Sequence, residues 1–311
     1  MDTMDALVVE ESAPQRLHLD RVPAPRPATH EALVEVQAAG VNPTDLALRD
    51  AAPPGTVLGH ELAGVVSREA ADGSGPPVGT GVAGLVMGGA WAQQVAVPTA
   101  GLVVVPQGVD LRAAATMPIA AISALRALRV GGAVLGRRVM VTGATGAVGA
   151  LAARLASLGG ASGVTTVTRS EARSAHLRDL GATETVTDPR DAVAPADIVI
   201  DTVGGAVLSR AFEMTAADGT LVSVGRASGE DVVLPADALE GAGGRAGRTL
   251  RTFFMPDEPG DLRADLAFLL RLVDEGRLEA GVDHVEELGG ALPLLRAGRW
   301  AGRLVLALRG E

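Results

Sequence analysis

Three glycines that follow an apolar run carry the clearest chemical signal in the sequence. Gly143, Gly146 and Gly149 have the spacing G-x-x-G-x-x-G, after the apolar and β-branched residues 139–142 and before a stretch of small, helix-favouring residues. Glycines so placed permit a tight turn and let the backbone approach a pyrophosphate, while the amides at a helix N-terminus attract the anion. Because a second strand is predicted over 163–168, the pattern favours a dinucleotide site over an ordinary glycine-rich turn. The predicted phosphate-binding residues are Thr142, Gly143, Gly146, Ala147 and Val148.

The residues after the second predicted strand bear on which dinucleotide is bound. NAD sites usually place Asp or Glu there, whereas NADP sites place cations that hold the 2′-phosphate. The chain has Arg169 at the end of the strand and Arg173 shortly after Ser170, so two guanidinium groups and a hydroxyl could bind a phosphate. Alternatively, Ser170 is the N-cap of a solvated helix, and Glu171 would suit NAD. The pattern favours NADPH.

The composition excludes several kinds of catalysis. The 311 residues include no cysteine, no tyrosine and no lysine, so all 27 basic residues are arginine. A thiolate nucleophile, a disulfide, a cysteine-bound zinc and a Schiff-base lysine are therefore excluded. Short-chain reductases protonate a carbonyl oxygen with a tyrosine and a lysine, and this chain has neither.

Charge and hydropathy limit the partners and the location. The formal net charge of −10 argues against a nucleic-acid surface, which needs a basic footprint. The first residues carry acids and lack the basic and apolar segments of a signal peptide. No uninterrupted apolar run reaches the roughly 18 to 20 residues that span a bilayer. We therefore expect a cytoplasmic protein that binds neither nucleic acid nor membrane.

Two kinds of pattern divide the chain into domains that must position these residues. Over 6–112, short apolar alternations separated by Pro and Gly predict strands of a β-rich domain. Over 138–225, strands and helices alternate in the βαβ rhythm of a parallel sheet. We predict a β-rich catalytic domain over 1–115, completed by 256–311, and a nucleotide-binding domain over 116–255.

The elements within these domains follow from the same patterns. The predicted strands are 6–9, 32–36, 64–66, 81–86 and 94–97 in the first domain, 139–142, 163–168, 184–187, 197–201 and 220–224 in the second, and 303–307 at the end. The predicted helices are 147–158, 171–180, 206–216, 262–275 and 287–297. The glycine-rich residues 240–247 predict a flexible surface loop.

Five short motifs, spread in order over nearly the whole chain, resemble those of one known family. The motifs are G-V-N-P-x-D within 39–45, G-H-E-x-x-G-x-V over 59–66, the helical segment 113–124, D-x-V-G-G over 201–205 and, with Arg303 in the place of lysine, G-K-x-V-L over 302–306. Together they resemble the medium-chain dehydrogenases and reductases, in particular the zinc-free quinone oxidoreductase branch. The resemblance implies an α/β protein with an N-terminal β-rich (GroES-like) domain and a Rossmann domain, a doubly wound parallel sheet.

The resemblance also implies roles for single residues. Asn42 and Ser123 would lie near the nicotinamide, with Asn42 as the donor to a substrate carbonyl. Asp45 and His60 are candidate proton sources that act through water; the alternatives are an Asx-turn cap at Asp45 and a loop-fixing hydrogen bond at His60. The other cofactor-binding residues implied by the resemblance and by strand ends are Val203, Gly225, Arg226, Phe253, Gly302 and Arg303.

The sequence departs from the zinc-dependent relatives in its candidate metal ligands. Those relatives have a cysteine in the place of Asn42 and another ligand near Pro118. His60 and Glu61 remain, but a zinc site normally needs three protein ligands and a water. We therefore predict no bound metal and favour hydrogen bonds that fix the local loop as the role of this pair. The tyrosine that many quinone oxidoreductases place after the Asn-Pro motif is also missing.

Conjugate reduction suits a site without zinc. Without zinc as a Lewis acid, polarising a simple ketone is hard, whereas hydride addition to an enone or quinone gives a delocalised enolate that hydrogen bonds can stabilise. We predict NADPH-dependent, zinc-independent reduction of a quinone or α,β-unsaturated carbonyl. The alternatives are an enoyl reductase acting on a thioester or polyketide intermediate, a non-catalytic NADPH-binding sensor, and a rearrangement without net redox change.

A homodimer is predicted through the last strand of the parallel sheet. Medium-chain relatives commonly pair this strand across a two-fold axis, which makes residues 248–253 the candidate interface. Two of the four phenylalanines, Phe253 and Phe254, follow it. They could form a substrate wall or a subunit contact, and core packing is at least as good an explanation.

Overall fold

The computed structural model of the chain describes residues 2–298, 300 and 302–308. The strands are β1 (Thr3–Val9), β2 (Leu17–Pro23), β3 (Glu31–Gly40), β4 (Glu61–Arg68), β5 (Gly81–Leu85), β6 (Gln94–Pro98), β7 (Leu102–Val104), β8 (Arg138–Thr142), β9 (Gly163–Val167), β10 (Glu184–Val186), β11 (Ala196–Asp201), β12 (Thr215–Ser223), β13 (Thr249–Thr252), β14 (His284–Glu287) and β15 (Leu304–Ala307). The helices of four residues or more are α1 (Pro43–Ala51), α2 (Leu111–Ala114), α3 (Ala120–Gly131), α4 (Ala147–Leu158), α5 (Ser174–Asp179), α6 (Gly205–Glu213), α7 (Leu262–Asp274) and α8 (Leu292–Ala297).

The chain divides into two compact units that do not follow the predicted boundaries to the residue. The β-rich unit comprises Met1–Ile119 and Asp261–Glu311, and the nucleotide-binding unit comprises Ala120–Gly260. Residues 116–119 belong to the first unit because Arg303 donates to the carbonyl of Thr116 and Glu61 accepts from the amide of Ile119. Residues 256–260 belong to the second because the buried Arg126 donates to the carbonyl of Glu258.

The β-rich unit is built around a mostly antiparallel sheet. Its strand order is β14-β15-β3-β4-β5-β7, with β6 also paired to β3, and only β14 and β15 run parallel. β1 and β2 form a separate antiparallel pair. Ala32, Val34 and Val36 on one face of β3 pack with Leu62 and the fully buried Trp91 into one core. This burial is the largest favourable term that holds the unit together.

The nucleotide-binding unit contains a six-stranded parallel sheet. Its strand order is β10-β9-β8-β11-β12-β13, and every neighbouring pair is parallel. Numbered from β8, this is the order 3-2-1-4-5-6, which reverses between β8 and β11. Ligands of such sheets bind at the carboxyl ends of the strands, at the point of reversal. The predicted doubly wound topology is therefore present.

Several elements differ from the sequence predictions. The helix predicted over 287–297 begins at Leu292, because Glu287 is the last residue of β14 and residues 288–291, which include Gly289 and Gly290, form turns. The helix predicted over 171–180 is a single 3-10 turn followed by α5. Strands β2, β7 and β14 and helix α1 were not predicted. None of the described helices is long and apolar enough to cross a membrane.

Candidate active site

The N-terminus of α1 positions two of the predicted catalytic residues. Asn42 precedes the helix in extended conformation and Pro43 occupies the first helical position. The Asp45 Oδ2 atom accepts a hydrogen bond from the Asn42 backbone N at 2.7 Å. This bond satisfies an amide that the helix itself leaves unpaired. Asp45 therefore caps α1 in a capping box, not in the Asx-turn that the sequence offered as its alternative role, and this bond uses only one of the two carboxyl oxygens.

The second oxygen of Asp45 holds the ring of His60. The Asp45 Oδ1 atom lies 2.5 Å from His60 Nδ1, and the Asp45 side chain is fully buried. The His60 side chain is 19% exposed. A carboxylate on one ring nitrogen fixes the tautomer and the orientation of an imidazole. Nδ1 is thereby the protonated nitrogen that donates to Asp45, and Nε2 is the ring nitrogen left for a further partner.

Glu61 is the centre of a buried hydrogen-bond cluster. Its Oε1 atom accepts from Asn42 Nδ2 at 2.7 Å and from Arg303 Nη2 at 2.9 Å, and its Oε2 atom accepts from the Ile119 backbone N at 2.8 Å. Burial raises the pKa of the Glu61 carboxyl above its ordinary value, and the Arg303 guanidinium and these hydrogen bonds oppose the rise. The cluster fixes the start of β4, next to His60.

Arg303 closes this cluster from the C-terminal part of the chain. Its side chain is buried, and its Nη1 atom donates to Asn42 Oδ1 at 3.0 Å. Nη2 donates to Glu61 and, at 2.5 Å, to the carbonyl of Thr116. The Arg303 backbone N donates to Asp283 Oδ2 at 2.7 Å, beside Gly302. The implied contact of Gly302 and Arg303 with a cofactor stays a prediction.

These contacts decide how well the cluster would suit a metal. Across the residues that the structure describes, no three His, Cys, Asp or Glu side chains converge in a way that could hold an ion. Both polar ends of the Asn42 side chain and both oxygens of Glu61 have protein partners. His60 has Asp45 on Nδ1. One imidazole nitrogen is therefore the main ligand left, which is fewer than a zinc site needs.

The glycine turn and α4 form a cradle that suits a phosphate. Gly143 has φ +59°, and a Cβ on Gly149 would lie 2.9 Å from Ala144 Cα, so the turn needs glycine at both positions. Within the described residues, no side chain caps the N-terminus of α4 at Gly146. The twelve-residue helix therefore presents its first amides, including those of the half-exposed Ala147 and Val148, at an open end.

A buried carboxylate ties the strand ends beside this cradle. Asp201, at the end of β11, accepts from Thr142 Oγ1 at 2.6 Å and from the backbone N of Gly204 at 2.9 Å. Burial raises the pKa of Asp201, and the bond from Thr142 opposes the rise. The Thr202 Oγ1 atom donates to the carbonyl of Thr142 at 2.9 Å. Thr142 and Thr202 thus meet at the point where the strand order reverses, and Val203 is the next residue in the chain.

The predicted phosphate clamp lies at the end of β9. The Arg169 side chain is exposed, and Ser170 and Arg173 are half-buried. The Arg173 backbone N donates to the carbonyl of Ser170 at 3.2 Å, and this turn brings Arg173 back toward Ser170. The Ser170 backbone N donates to Thr168 Oγ1 at 3.1 Å. The described contacts leave the clamp as a prediction.

The remaining predicted cofactor residues of this unit have varied surroundings. Ser123 is buried within α3. Gly225 follows β12, where a Cβ would lie 2.7 Å from the Thr202 carbonyl oxygen. Arg226 is exposed and Phe253 is half-buried. Gly225 therefore lies at the same strand ends as Val203, and none of these four roles is settled by the contacts.

The sequence prediction missed residues that hold together the buried hydrogen-bond cluster around Glu61. It gave Arg303 a cofactor role and gave Thr116 and Ile119 none, yet these three join Glu61 and Asn42. Their contacts span up to 261 positions of the chain, and a local motif carries no information on such pairing. The signal that could have been used is an arginine within an apolar run, which must find a buried partner.

Comparisons with known proteins agree with this architecture. The family model described as "Alcohol dehydrogenase GroES-like domain" matches residues 28–107, and the one described as "Zinc-binding dehydrogenase" matches residues 147–271. A comparison with curated proteins found no match.

Solved structures resemble the chain over nearly its whole length. A quinone oxidoreductase from Coxiella burnetii is 25% identical, with 99% of this chain and 100% of that chain covered and a TM-score of 0.81. A thermostable alcohol dehydrogenase from Pyrobaculum aerophilum is 27% identical, with 98% and 100% covered and a TM-score of 0.85. An alcohol dehydrogenase superfamily protein from Novosphingobium aromaticivorans is 26% identical, with 98% and 100% covered and a TM-score of 0.86.

The resemblance that the motifs carried is thereby confirmed at the level of the superfamily, whose members bind a nicotinamide cofactor. The chain belongs to the medium-chain dehydrogenase/reductase superfamily and is an oxidoreductase of that family.

Proposed function

We propose that this oxidoreductase uses NADPH to reduce a quinone or another α,β-unsaturated carbonyl without zinc. The observation that carries the proposal is the arrangement of His60. A buried carboxylate holds its Nδ1 atom, the ring is partly exposed, and the neighbouring Asn42 and Glu61 side chains are engaged in a protein cluster. This ring offers zinc only one ligand, Nε2, which is fewer than a zinc site needs, whereas an imidazolium held by Asp45 can donate the Nε2 proton.

The cofactor is proposed from the fit of the nucleotide-binding unit. The turn at Gly143 and Gly149 and the open N-terminus of α4 suit a pyrophosphate, and Arg169 and Arg173 would bind a 2′-phosphate. When bound, NADPH supplies a hydride. Ser123, Val203 and Gly225 are the residues that we propose contact the nicotinamide half.

The β-rich unit would stabilise the charge that develops on the substrate. After hydride addition to the β-carbon, negative charge is shared between the α-carbon and the carbonyl oxygen. We propose that His60 Nε2 donates a hydrogen bond and then a proton to this enolate, and that Asp45 stabilises the imidazolium and keeps its orientation. The sequence prediction of Asn42 as the carbonyl donor stays a prediction, although both polar ends of its side chain already have protein partners.

Isotope transfer tests the reaction type. The protein is incubated with NADPH that carries deuterium at the transferred position and with an aliphatic enone, and the product is analysed by NMR. We expect deuterium at the β-carbon and an intact carbonyl. Deuterium at the carbonyl carbon, with an allylic alcohol as product, would contradict conjugate reduction and favour the chemistry of an alcohol dehydrogenase.

Replacing both Arg169 and Arg173 with alanine should weaken NADPH binding selectively. The loss of two charge-assisted contacts to the 2′-phosphate should raise the dissociation constant of NADPH at least tenfold. The dissociation constant of NADH, which lacks this phosphate, should change less than twofold. Titration calorimetry measures both, and R178A is the control, since Arg178 is an exposed arginine of α5 outside the proposed clamp. Equal losses for the two cofactors would remove the phosphate clamp.

The homodimer is proposed from the free edge of the parallel sheet. β13 is the last strand of the sheet, its four residues are exposed, and the Phe254 that follows is 63% exposed. An uncovered edge strand of this kind can pair with a second copy. We expect a dimer by sedimentation velocity and a monomer for L250K, because two lysines would meet across the two-fold axis. V193K, at an exposed valine away from this edge, should stay dimeric. A dimer that L250K leaves intact would place the interface elsewhere.

A further inference from the structure

The β-rich unit contains a cavity of about 920 Å³ that the proposed reaction does not use. The residues that line it come from β1, β3, β4 and β6 and from the segment 23–26 at the end of β2. On β4 the lining residue is Arg68, the last of the strand, whereas Glu61 begins it beside His60. At the rise of an extended strand these two ends are about 23 Å apart. The cavity is therefore distinct from the candidate active site, and its volume is that of a pocket for a small organic ligand.

The pairing of β3 brings side chains from its two neighbours into this cavity. Leu33 lies opposite Arg68 of β4, and Glu35 lies opposite Gln94 of β6. Leu33 and Glu35 are two residues apart on one strand, so their side chains and those of their cross-strand partners leave the sheet on the same face. All four line the cavity. Arg68 and Gln94 therefore reach it from opposite sides of β3.

Three hydrogen-bond donor groups at the cavity have no protein acceptor. Within the described part of the chain, the exposed side chains of Arg26 and Arg68 make no hydrogen bond and no ion pair. Gln93 Oε1 accepts from the Asp5 backbone N at 2.9 Å, which leaves Gln93 Nε2 as the end of the amide for a further partner. Guanidinium groups bind carboxylates and phosphates through paired N–H donors. These donors therefore favour an anionic ligand.

The other lining residues limit the charge of that anion and call for an apolar part. The carboxylates of Asp2 and Glu35 also line the cavity, and they repel a doubly charged phosphate more than a singly charged carboxylate. Met4 and Leu33, each only 9% exposed, add apolar surface to the wall. A hydrocarbon chain or ring placed against them would gain from leaving water.

We propose that this cavity binds a small carboxylic acid with an apolar body. Arg26, Arg68 and Gln93 Nε2 donate to the carboxylate, and the apolar body packs on Met4 and Leu33. The inference does not rest on the proposed reduction, because no residue named for hydride or proton transfer takes part in it.

Titration calorimetry of the protein saturated with NADPH tests this site, with octanoate and inorganic phosphate as the probes. We expect octanoate to bind one site per chain, and more tightly than phosphate. R26A/R68A should raise the dissociation constant of octanoate at least tenfold. R178A/R263A removes the same charge at exposed arginines that do not line the cavity, and should change it less than twofold. Phosphate that binds as tightly as octanoate, equal losses in the two double variants, or no binding of octanoate would overturn the assignment.

A change of nearly constant size at Gln94 tests the same site without removing an arginine. Gln94 is half-buried in the cavity wall, and Q94E adds a carboxylate there. We expect the dissociation constant of octanoate to rise about fivefold, because two like charges would then share the cavity. Q37E, at a half-buried glutamine of β3 that does not line the cavity, should change it less than twofold. An unchanged constant in Q94E would contradict the site, whether or not the protein reduces a quinone.

Discussion

Replacing Arg303 with methionine should destabilise the β-rich unit by about 3–5 kcal/mol, the usual cost of removing one partner of a buried ion pair. The variant leaves the Glu61 carboxylate buried without its countercharge and removes the donors to Asn42 Oδ1 and to the Thr116 carbonyl. Methionine fills most of the lost volume, so the loss reports the missing charge and hydrogen bonds rather than a cavity.

Both tryptophans, Trp91 and Trp300, belong to the β-rich unit, which makes their fluorescence in urea a measure of this unit alone. The double variant E61Q/R303M should recover at least half of the loss, because it removes the unpaired charge as well. R277M is the control, since Arg277 is half exposed and pairs with Glu275 at the surface; it should cost less than about 0.5 kcal/mol. A loss in R303M no larger than in R277M would contradict the role of Arg303.

The loss in R303M should also depend on pH in a defined direction. Burial already raises the pKa of Glu61 above its ordinary value of 4.5, and removal of the guanidinium raises it further. The folded variant then binds a proton more readily than the unfolded chain does. The contribution of the protonated Glu61 to the free energy of unfolding is fully present below pH 4.5, and it is lost as the pH rises through the pKa of Glu61 in the folded variant. The difference in the free energy of unfolding between R303M and the wild type should therefore be smaller at pH 5 than at pH 8. A difference that does not change with pH would contradict this.

Replacing His60 with alanine should lower kcat for an enone about 100-fold, within the range that a positioned general acid contributes. Because the hydride step and the cofactor site are untouched, KM and the dissociation constant of NADPH should change less than threefold. Exogenous imidazole should restore part of the activity of H60A, which a merely structural loss would not allow. H18A, at an exposed histidine of β2, should have wild-type kcat.

Replacing Asp45 with asparagine should slow the same proton-transfer step, because Asp45 acts through His60. D45N keeps the shape of the side chain but replaces one acceptor oxygen with a donor, so the Asn42 amide or His60 Nδ1 loses its acceptor. We expect a smaller loss of kcat than in H60A and almost no further loss in the double variant D45N/H60A, because both act as one unit. Additive losses would indicate that Asp45 acts on its own.

Local signals in the sequence predicted the nucleotide-binding unit well. The helix predicted over 147–158 is α4, with the same bounds, and the five predicted strands of this unit correspond to β8–β12. Apolar runs ended by glycine fix such elements because strand, turn and helix are adjacent in the chain. The strand at 284–287 was not predicted, because its conformation depends on pairing with β15, about twenty residues away.

The candidate active site was predicted by residue type more than by arrangement. The motifs named Asn42, Asp45 and His60. For Asp45 the sequence offered an Asx-turn cap, and the structure has a capping-box bond from the Asn42 backbone N in its place. Which oxygen of Asp45 would face His60, and that Arg303 would be buried against Glu61, depended on sheet pairings between distant parts of the chain. An arginine within an apolar run signals that Arg303 must find a buried partner, but a single sequence does not specify which distant residue that partner is.

Absorbance at 340 nm tests directly whether the protein reduces these acceptors with NADPH and without zinc. The protein is treated with EDTA, desalted, and mixed with NADPH or NADH and 1,4-benzoquinone, 9,10-phenanthrenequinone or an aliphatic enone. We predict oxidation of NADPH by at least one of these acceptors, slower oxidation of NADH, and the same rates before chelation and after it. Tight binding of NADPH without turnover of any acceptor would contradict it, and so would activity that EDTA removes and added Zn²⁺ restores.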